Sequence, residues 1–145
     1  MQQKIVSAYR ERFGGEPLVV FAPGRINLIG EHVDYNDGYV MPAAIDKGIW
    51  FAIAPNQSDE LRCFSFDMQE MITVSLSEVS KRSGWSNYIL GVVHVMMLEG
   101  HRLGGFNCVF GGNLPVGAGL SSSAAVECGL AFGLNEIFGL NQGRR

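Results

Sequence analysis

The block from Phe106 to Gly139 leaves this chain few choices. Phe106, Cys108 and Phe110 alternate in the manner of a strand, which runs into Gly111-Gly112. A loop rich in glycine and serine follows, GGNLPVGAGLSSSAAVE from Gly111 to Glu127. From Ser123 to Phe138 the sequence reads as a helix, with Gly139 as its C-cap. That helix is apolar nearly all round, with Glu127, Asn135 and Glu136 as its main polar positions. A helix of that kind must be covered on most sides. A sheet has to lie against it, and the loop then sits between a strand end and the start of a buried helix.

The rest of the chain supplies the sheet. Ile5, Val6, Tyr9 and Phe13 recur at helical spacing until Gly14-Gly15. Leu18 to Ala22 reads as a strand, Pro23-Gly24 as a bend, and Ile26 to Ile29 as a second short strand. Tyr39 to Ile45 and Gly48 to Ala54 read as strands joined through Asp46-Lys47. Leu61 to Phe66 and Met71 to Leu76 alternate as strands after a turn at Ser58 to Glu60. Trp85, Tyr88/Ile89, Val92/Val93 and Met96/Met97 mark a helix that stops at Gly100. The fold class is α+β: an antiparallel or mixed sheet covered by two or three helices, with no internal repeat or linker.

Composition excludes several functions. The 145 residues are enough for one domain with its own core, and 47% are hydrophobic. A net charge of -3 without a dense Lys/Arg run gives nucleic acid no electrostatic footing. Charges in MQQKIVSAYRERFGG interrupt any signal-like apolar run, and no stretch is long enough to span a membrane. Cys63, Cys108 and Cys128 fit neither a disulfide framework nor a zinc site. Reduced thiols in the core of a cytoplasmic protein are the expectation.

The glycine-serine loop has two physical readings. Glycines before a helix N-terminus let backbone N–H groups and the positive end of the helix dipole approach an anion, most often phosphate. Ser121, Ser122 and Ser123 then add hydroxyls, one of which can ligate magnesium. Alternatively the serines only cap the helix, and the residues alone leave both readings open. No lysine follows the glycines, which excludes a Walker A loop. Ser122 stands where a dinucleotide fingerprint needs its third glycine, and no G-x-S-x-G elbow is present.

A second polar cluster lies at Arg25 to Gly38, RINLIGEHVDYNDG. Glu31, His32 and Asp34 are suited to adjacent sugar hydroxyls, and Arg25 to charge on a transferred phosphoryl group. A solvated turn with its tip at Asn36-Asp37-Gly38 explains the same residues, and their spacing suits no common zinc pattern.

Together the two stretches are distinctive. PGRINLIGEHVDYN, from Pro23 to Asn36, closely resembles the galactokinase signature. Gly117-Ala118-Gly119-Leu120-Ser121-Ser122-Ser123-Ala124-Ala125 resembles the phosphate loop of the GHMP kinases (galactokinase, homoserine, mevalonate and phosphomevalonate kinases). Trp85-Ser86-Asn87-Tyr88 and Gly91-Val92 fit the same pattern. The resemblance implies the GHMP kinase N-terminal domain, a fold related to ribosomal protein S5 domain 2. It implies ATP and Mg²⁺ as cofactors and transfer of phosphate to α-D-galactose, giving galactose 1-phosphate. Under it Arg25 is the transition-state-stabilising arginine, and Glu31, His32 and Asp34 contact galactose. Gly117, Ala118, Gly119, Leu120, Ser121, Ser122 and Ser123 wrap the ATP phosphates, Ser123 ligates Mg²⁺, and Ser65 makes a further ATP contact. Trp85 and Tyr88 fall near the adenine.

The chain also departs from the family. Its members continue with a Gly-x-Met-Asp segment bearing the catalytic aspartate, and no Met-Asp pair occurs here; Asp67-Met68 has the reverse order. The expectation is a single N-terminal domain over 1–145, with the galactose signature at 23–38 and the phosphate loop at 115–125. That domain would need a missing C-terminal half, would be nearly inactive by itself, and would tend to self-associate. Rival readings are a GHMP kinase for N-acetylgalactosamine or arabinose, and a galactose- and ATP-binding sensor without turnover. A dinucleotide-binding module ranks last.

Overall fold

Alternating burial assigns each strand residue to one of two sheet faces. The computed structural model describes residues 1–30, 36–114 and 119–143. In chain order the elements are α1 (Gln2–Phe13), β1 (Leu18–Asn27), β2 (Pro42–Pro55), β3 (Glu60–Ser65), β4 (Glu70–Ser75), α2 (Ser86–Leu98), β5 (Phe106–Gly112) and α3 (Ser122–Phe138), with a short 3₁₀ turn at Leu76–Glu78. Phe51, Ile53, Leu61, Cys63, Cys108 and Phe110 face α2 and α3, where they meet Ile89, Leu90, Val93, Ala125, Leu130 and Leu134. The intervening Ala52, Phe64 and Val109 face the other way, onto Ile5, Ala8 and Tyr9 of α1. Period two in the strands and period 3.6 in the helices thus build two cores on one sheet. Among the described residues no helix is long and apolar enough to cross a membrane.

The five strands form one sheet in the order β1-β2-β5-β3-β4. β1 is antiparallel to β2, β2 to β5 and β3 to β4, whereas β3 and β5 are parallel. The sheet is therefore mixed, and β1, β3 and β5 all run in the same direction. Their C-terminal ends share one edge of the molecule, so the segments that follow each of them emerge together.

Four sequence expectations need correction. Pro23-Gly24 does not divide two strands, because β1 continues to Asn27 through a register shift between Pro23 and Arg25. Likewise Asp46-Lys47 does not divide β2: residues 45–47 bulge where Pro23 pairs with Gly48 and Arg25 with Ala44. Cys63 and Cys108 are buried, but Cys128 is exposed. Finally, α3 is not buried all round. Ala125, Gly129, Leu130, Gly133 and Leu134 are buried against the sheet, while Ala124, Cys128 and Phe132 are exposed on the far side.

The helix ends follow their glycines. Gly14 closes α1 at φ 71, and Gly139 closes α3 in the left-handed region at φ 59 and ψ 40. Gly129 has a different task. A Cβ there would strike the Phe51 ring and come within 2.9 Å of the Ala22 methyl, so its bare backbone lets α3 lie close on β1 and β2.

Candidate active site at the strand ends

The edge shared by the ends of β1, β5 and β3 gathers most of the described candidate residues. Arg25 lies near the end of β1. Its N–H donates to the carbonyl oxygen of Leu120 at 3.2 Å, which ties the entry of α3 directly to β1. Gly24 makes that approach possible: a Cβ there would sit 3.0 Å from the Leu120 oxygen and 2.5 Å from Leu114 Cδ2. The Arg25 and Ser121 side chains line one cleft of about 630 Å³ between β1 and α3. Arg25 is half-buried, and among the described residues no carboxylate pairs with it.

The start of α3 is unusual for a helix N-terminus. Ser121 adopts φ 57 and ψ 42, a left-handed conformation that is costly for a residue with a Cβ. The Ser121 side chain makes no capping hydrogen bond. The first intrahelical bond runs from the Ala125 N–H to the Ser121 oxygen. The N–H groups of Ser122, Ser123 and Ala124 therefore point out of the helix end, with no capping side chain among the described residues. The reading in which these serines merely cap the helix does not match this geometry. The helix start turns its backbone donors outward at the positive end of the dipole, beside three half-buried serines. Gly119, at φ 69, supplies the turn before it.

Ser65 lies at the same edge, at the end of β3, opposite Phe110 of β5. It is 3% exposed, and its Oγ accepts the Met68 N–H at 3.4 Å. Trp85 approaches from α2, its ring 5.5 Å from that of Phe110. Its indole N–H donates to Glu70 Oε2 at 2.7 Å. Tyr88 is exposed. Five of the candidate residues, Glu31, His32, Asp34, Gly117 and Ala118, lie outside the described residues.

The sequence reading missed the apolar half of the cleft. Phe21, Ala124, Cys128 and Phe132 line it beside Arg25 and Ser121. The signal was present, since Ser121, Ala124/Ala125, Cys128 and Phe132 recur at helical spacing.

Two family models match the chain. The galactokinase galactose-binding signature covers residues 7–55, and the GHMP kinases N terminal domain covers residues 87–144. The chain is 43% identical over 124 residues to a galactokinase of Pyrococcus furiosus, covering 86% of this chain and 35% of that protein. It is 41% identical over 141 residues to a galactokinase of Clostridium perfringens, covering 93% of this chain and 36% of that one. The crystal structure of Lactococcus lactis galactokinase complexed with galactose superposes with a TM-score of 0.89 at 36% identity, over 97% of this chain and 38% of that one. The chain belongs to the galactokinase family. Its fold is the GHMP kinase N-terminal domain, shared at 21% identity and a TM-score of 0.75 with Methanococcus jannaschii mevalonate kinase, over 90% of this chain and 43% of that one. This galactokinase-family chain spans about a third of the length of the curated relatives it matches.

Proposed function

We propose that this chain carries the galactose-binding and ATP-binding part of a galactokinase, an enzyme that transfers phosphate from ATP to α-D-galactose. The observation that carries the proposal is the uncapped start of α3, tied through Leu120 to Arg25 in a cleft at the strand ends. Such an arrangement offers backbone donors, hydroxyls and one guanidinium to the same anion, as phosphate binding requires.

Under this reading the segment 117–123 cradles the ATP phosphates, and the N–H groups of Ser122, Ser123 and Ala124 donate to their oxygens. The Arg25 guanidinium stabilises charge on the phosphoryl group in flight. Glu31, His32 and Asp34 hold galactose by its hydroxyls. Ser65 adds a nucleotide contact through its hydroxyl hydrogen, its oxygen already accepting from Met68. Among the described residues no group of three or more His, Cys, Asp or Glu could hold a metal ion. The donor set instead fits Mg²⁺ bound through the Ser123 hydroxyl and the nucleotide's own oxygens. When bound, the ion neutralises charge on the phosphates. The family's Met-Asp pair does not occur in these 145 residues.

Calorimetric titration of galactose and of Mg·ATP, beside an ADP-release assay, tests the proposal. Asp34→Ala should weaken galactose by about 10-fold or more, the cost of a hydrogen bond to a charged group, and leave ATP within about twofold. A variant that lost ATP affinity and kept galactose affinity would refute the role given to the polar turn.

A further inference from the structure

The segment 113–121 can hold a nucleotide only if both its ends are fixed, and the two ends are fixed differently. The return end is held by the Leu120 oxygen on the Arg25 N–H. At the take-off end two side chains do the holding. Asn113 Oδ1 accepts the Gly48 N–H at 3.0 Å, while the Asn113 N–H donates to the Gly48 oxygen at 3.2 Å. This pair of bonds extends the β2–β5 ladder one rung beyond its last register pair, Ile49 with Gly112. A side chain replaces main chain in that rung, so the Asn113 carbonyl is not needed there and the backbone can turn away. Gly48 adjoins the 45–47 bulge, where β2 has parted from β1. On the other side of β5, Asp67 Oδ2 accepts the Gly112 N–H at 2.8 Å. Asp67 belongs to the turn that follows β3, two residues after Ser65.

We infer that Asn113 and Asp67 are positioning residues for nucleotide binding. They clamp the end of β5 from both sides and so set where the phosphate loop begins relative to Arg25. The inference rests on the ATP-binding reading above. Neither residue touches nucleotide in this assignment. They act through the backbone of Gly48, Gly112 and the loop.

The test uses the chain itself with Asn113→Ala, Asp67→Ala and the conservative Asp67→Asn, which keeps the acceptor oxygen. Affinity is measured for Mg·ATP and for galactose, and amide hydrogen exchange is followed at Arg25 and at residues 119–124. Loss of one hydrogen bond to the take-off should weaken Mg·ATP about two- to tenfold in each alanine variant, with galactose affinity unchanged. The Arg25 amide should exchange faster, although it lies far from either substitution in sequence. Asp67→Asn should restore both readouts. Alanine variants with parental Mg·ATP affinity and an unchanged Arg25 amide would overturn the inference. So would equal losses for ATP and galactose accompanied by faster exchange in α1, which mark a purely structural role. If the unsubstituted chain takes up no Mg·ATP, the proposed function falls and this role falls with it. Uptake by the parent with indifferent alanine variants removes only the positioning role.

Discussion

The close seat of α3 on the sheet can be tested with two substitutions of identical chemistry on the same helix. Gly129→Ala and Gly133→Ala each gain about 1 kcal/mol of helix propensity in an exposed context. Their surroundings differ. At Gly133 the nearest atom to a new methyl is Ile53 Cγ2 at 3.3 Å, and the next are at 3.6 and 3.8 Å. A shift of a few tenths of an ångström absorbs that, so Gly133→Ala should stabilise the fold by about 0.5 kcal/mol. At Gly129 the methyl would overlap the Phe51 ring and lie 2.9 Å from Ala22 Cβ, well inside the ~3.5–4.0 Å of an ordinary carbon contact. Phe51 is fully buried and stacked on Phe110 at 5.7 Å, so it has nowhere to swing. Helix and sheet must part, and overpacking of this kind costs about 1–3 kcal/mol. After the propensity gain, Gly129→Ala should be destabilised by up to about 2 kcal/mol, placing the two variants roughly 0.5–2.5 kcal/mol apart. Urea unfolding followed by Trp50 and Trp85 fluorescence, at matched protein concentration, reads the difference. If Gly129→Ala proves as stable as Gly133→Ala, the argument that glycine sets the helix–sheet distance is wrong.

Three further outcomes follow from other parts of the molecule. Burial pushes the Cys63 thiol well above the usual thiol range, helped by its hydrogen bond with Cys108, and burial also raises Tyr9. Raised folded values mean that this part of the stability is complete below the unfolded thiol value and is lost as pH rises past it. The melting temperature should therefore fall from about pH 8 upward, and less steeply in Cys63→Ala; equal slopes in both proteins would contradict the assignment. Ser121→Gly should relieve the left-handed strain and stabilise the fold by up to about 1 kcal/mol, as calorimetry would show; a lower melting temperature would mean that the residue is not strained. Phe21 and Phe132, each 37% exposed on the cleft, should promote self-association, so Phe21→Ser should raise the monomer fraction in sedimentation, and an unchanged distribution would place the contact elsewhere.

Much of this fold is legible in the residues because local physics decides it. Alternation placed Cys108 and Phe110 on one face and Val109 on the other, and glycines at 14 and 139 ended their helices. What could not be read are the features decided by distant neighbours. β1 runs through Pro23 and β2 through Asp46 because each has a long antiparallel partner that carries it across the irregularity. A propensity argument sees only the breakers. α3 reads as buried all round because composition counts apolar residues without knowing that one sheet covers only one side. The site shows the same division. Arg25 and the three serines were legible as residue types, but the Arg25–Leu120 bond that joins them depends on strand order. The uncapped left-handed entry at Ser121 depends on backbone angles that the serine run does not announce. Nothing in the sequence singles out Asn113; its side chain finds a strand partner only because Gly48 lies opposite it at the end of the β2–β5 ladder.

The place of β5 in the sheet has a consequence for how the molecule is made. β1–β2 and β3–β4 are local hairpins that can form as each is synthesised, yet they do not touch until β5 inserts between β2 and β3. Until residues near 112 are available, both hairpins carry an open apolar edge, and the pairing that closes them spans roughly 40 to 65 residues of sequence. Long-range pairing of this kind is slow and leaves intermediates exposed to aggregation. The proposed phosphate loop is the next segment of chain after that insertion. Closing the sheet and assembling the site are thus one late event in folding, and a ligand that waits for the site also rewards the last step of the sheet.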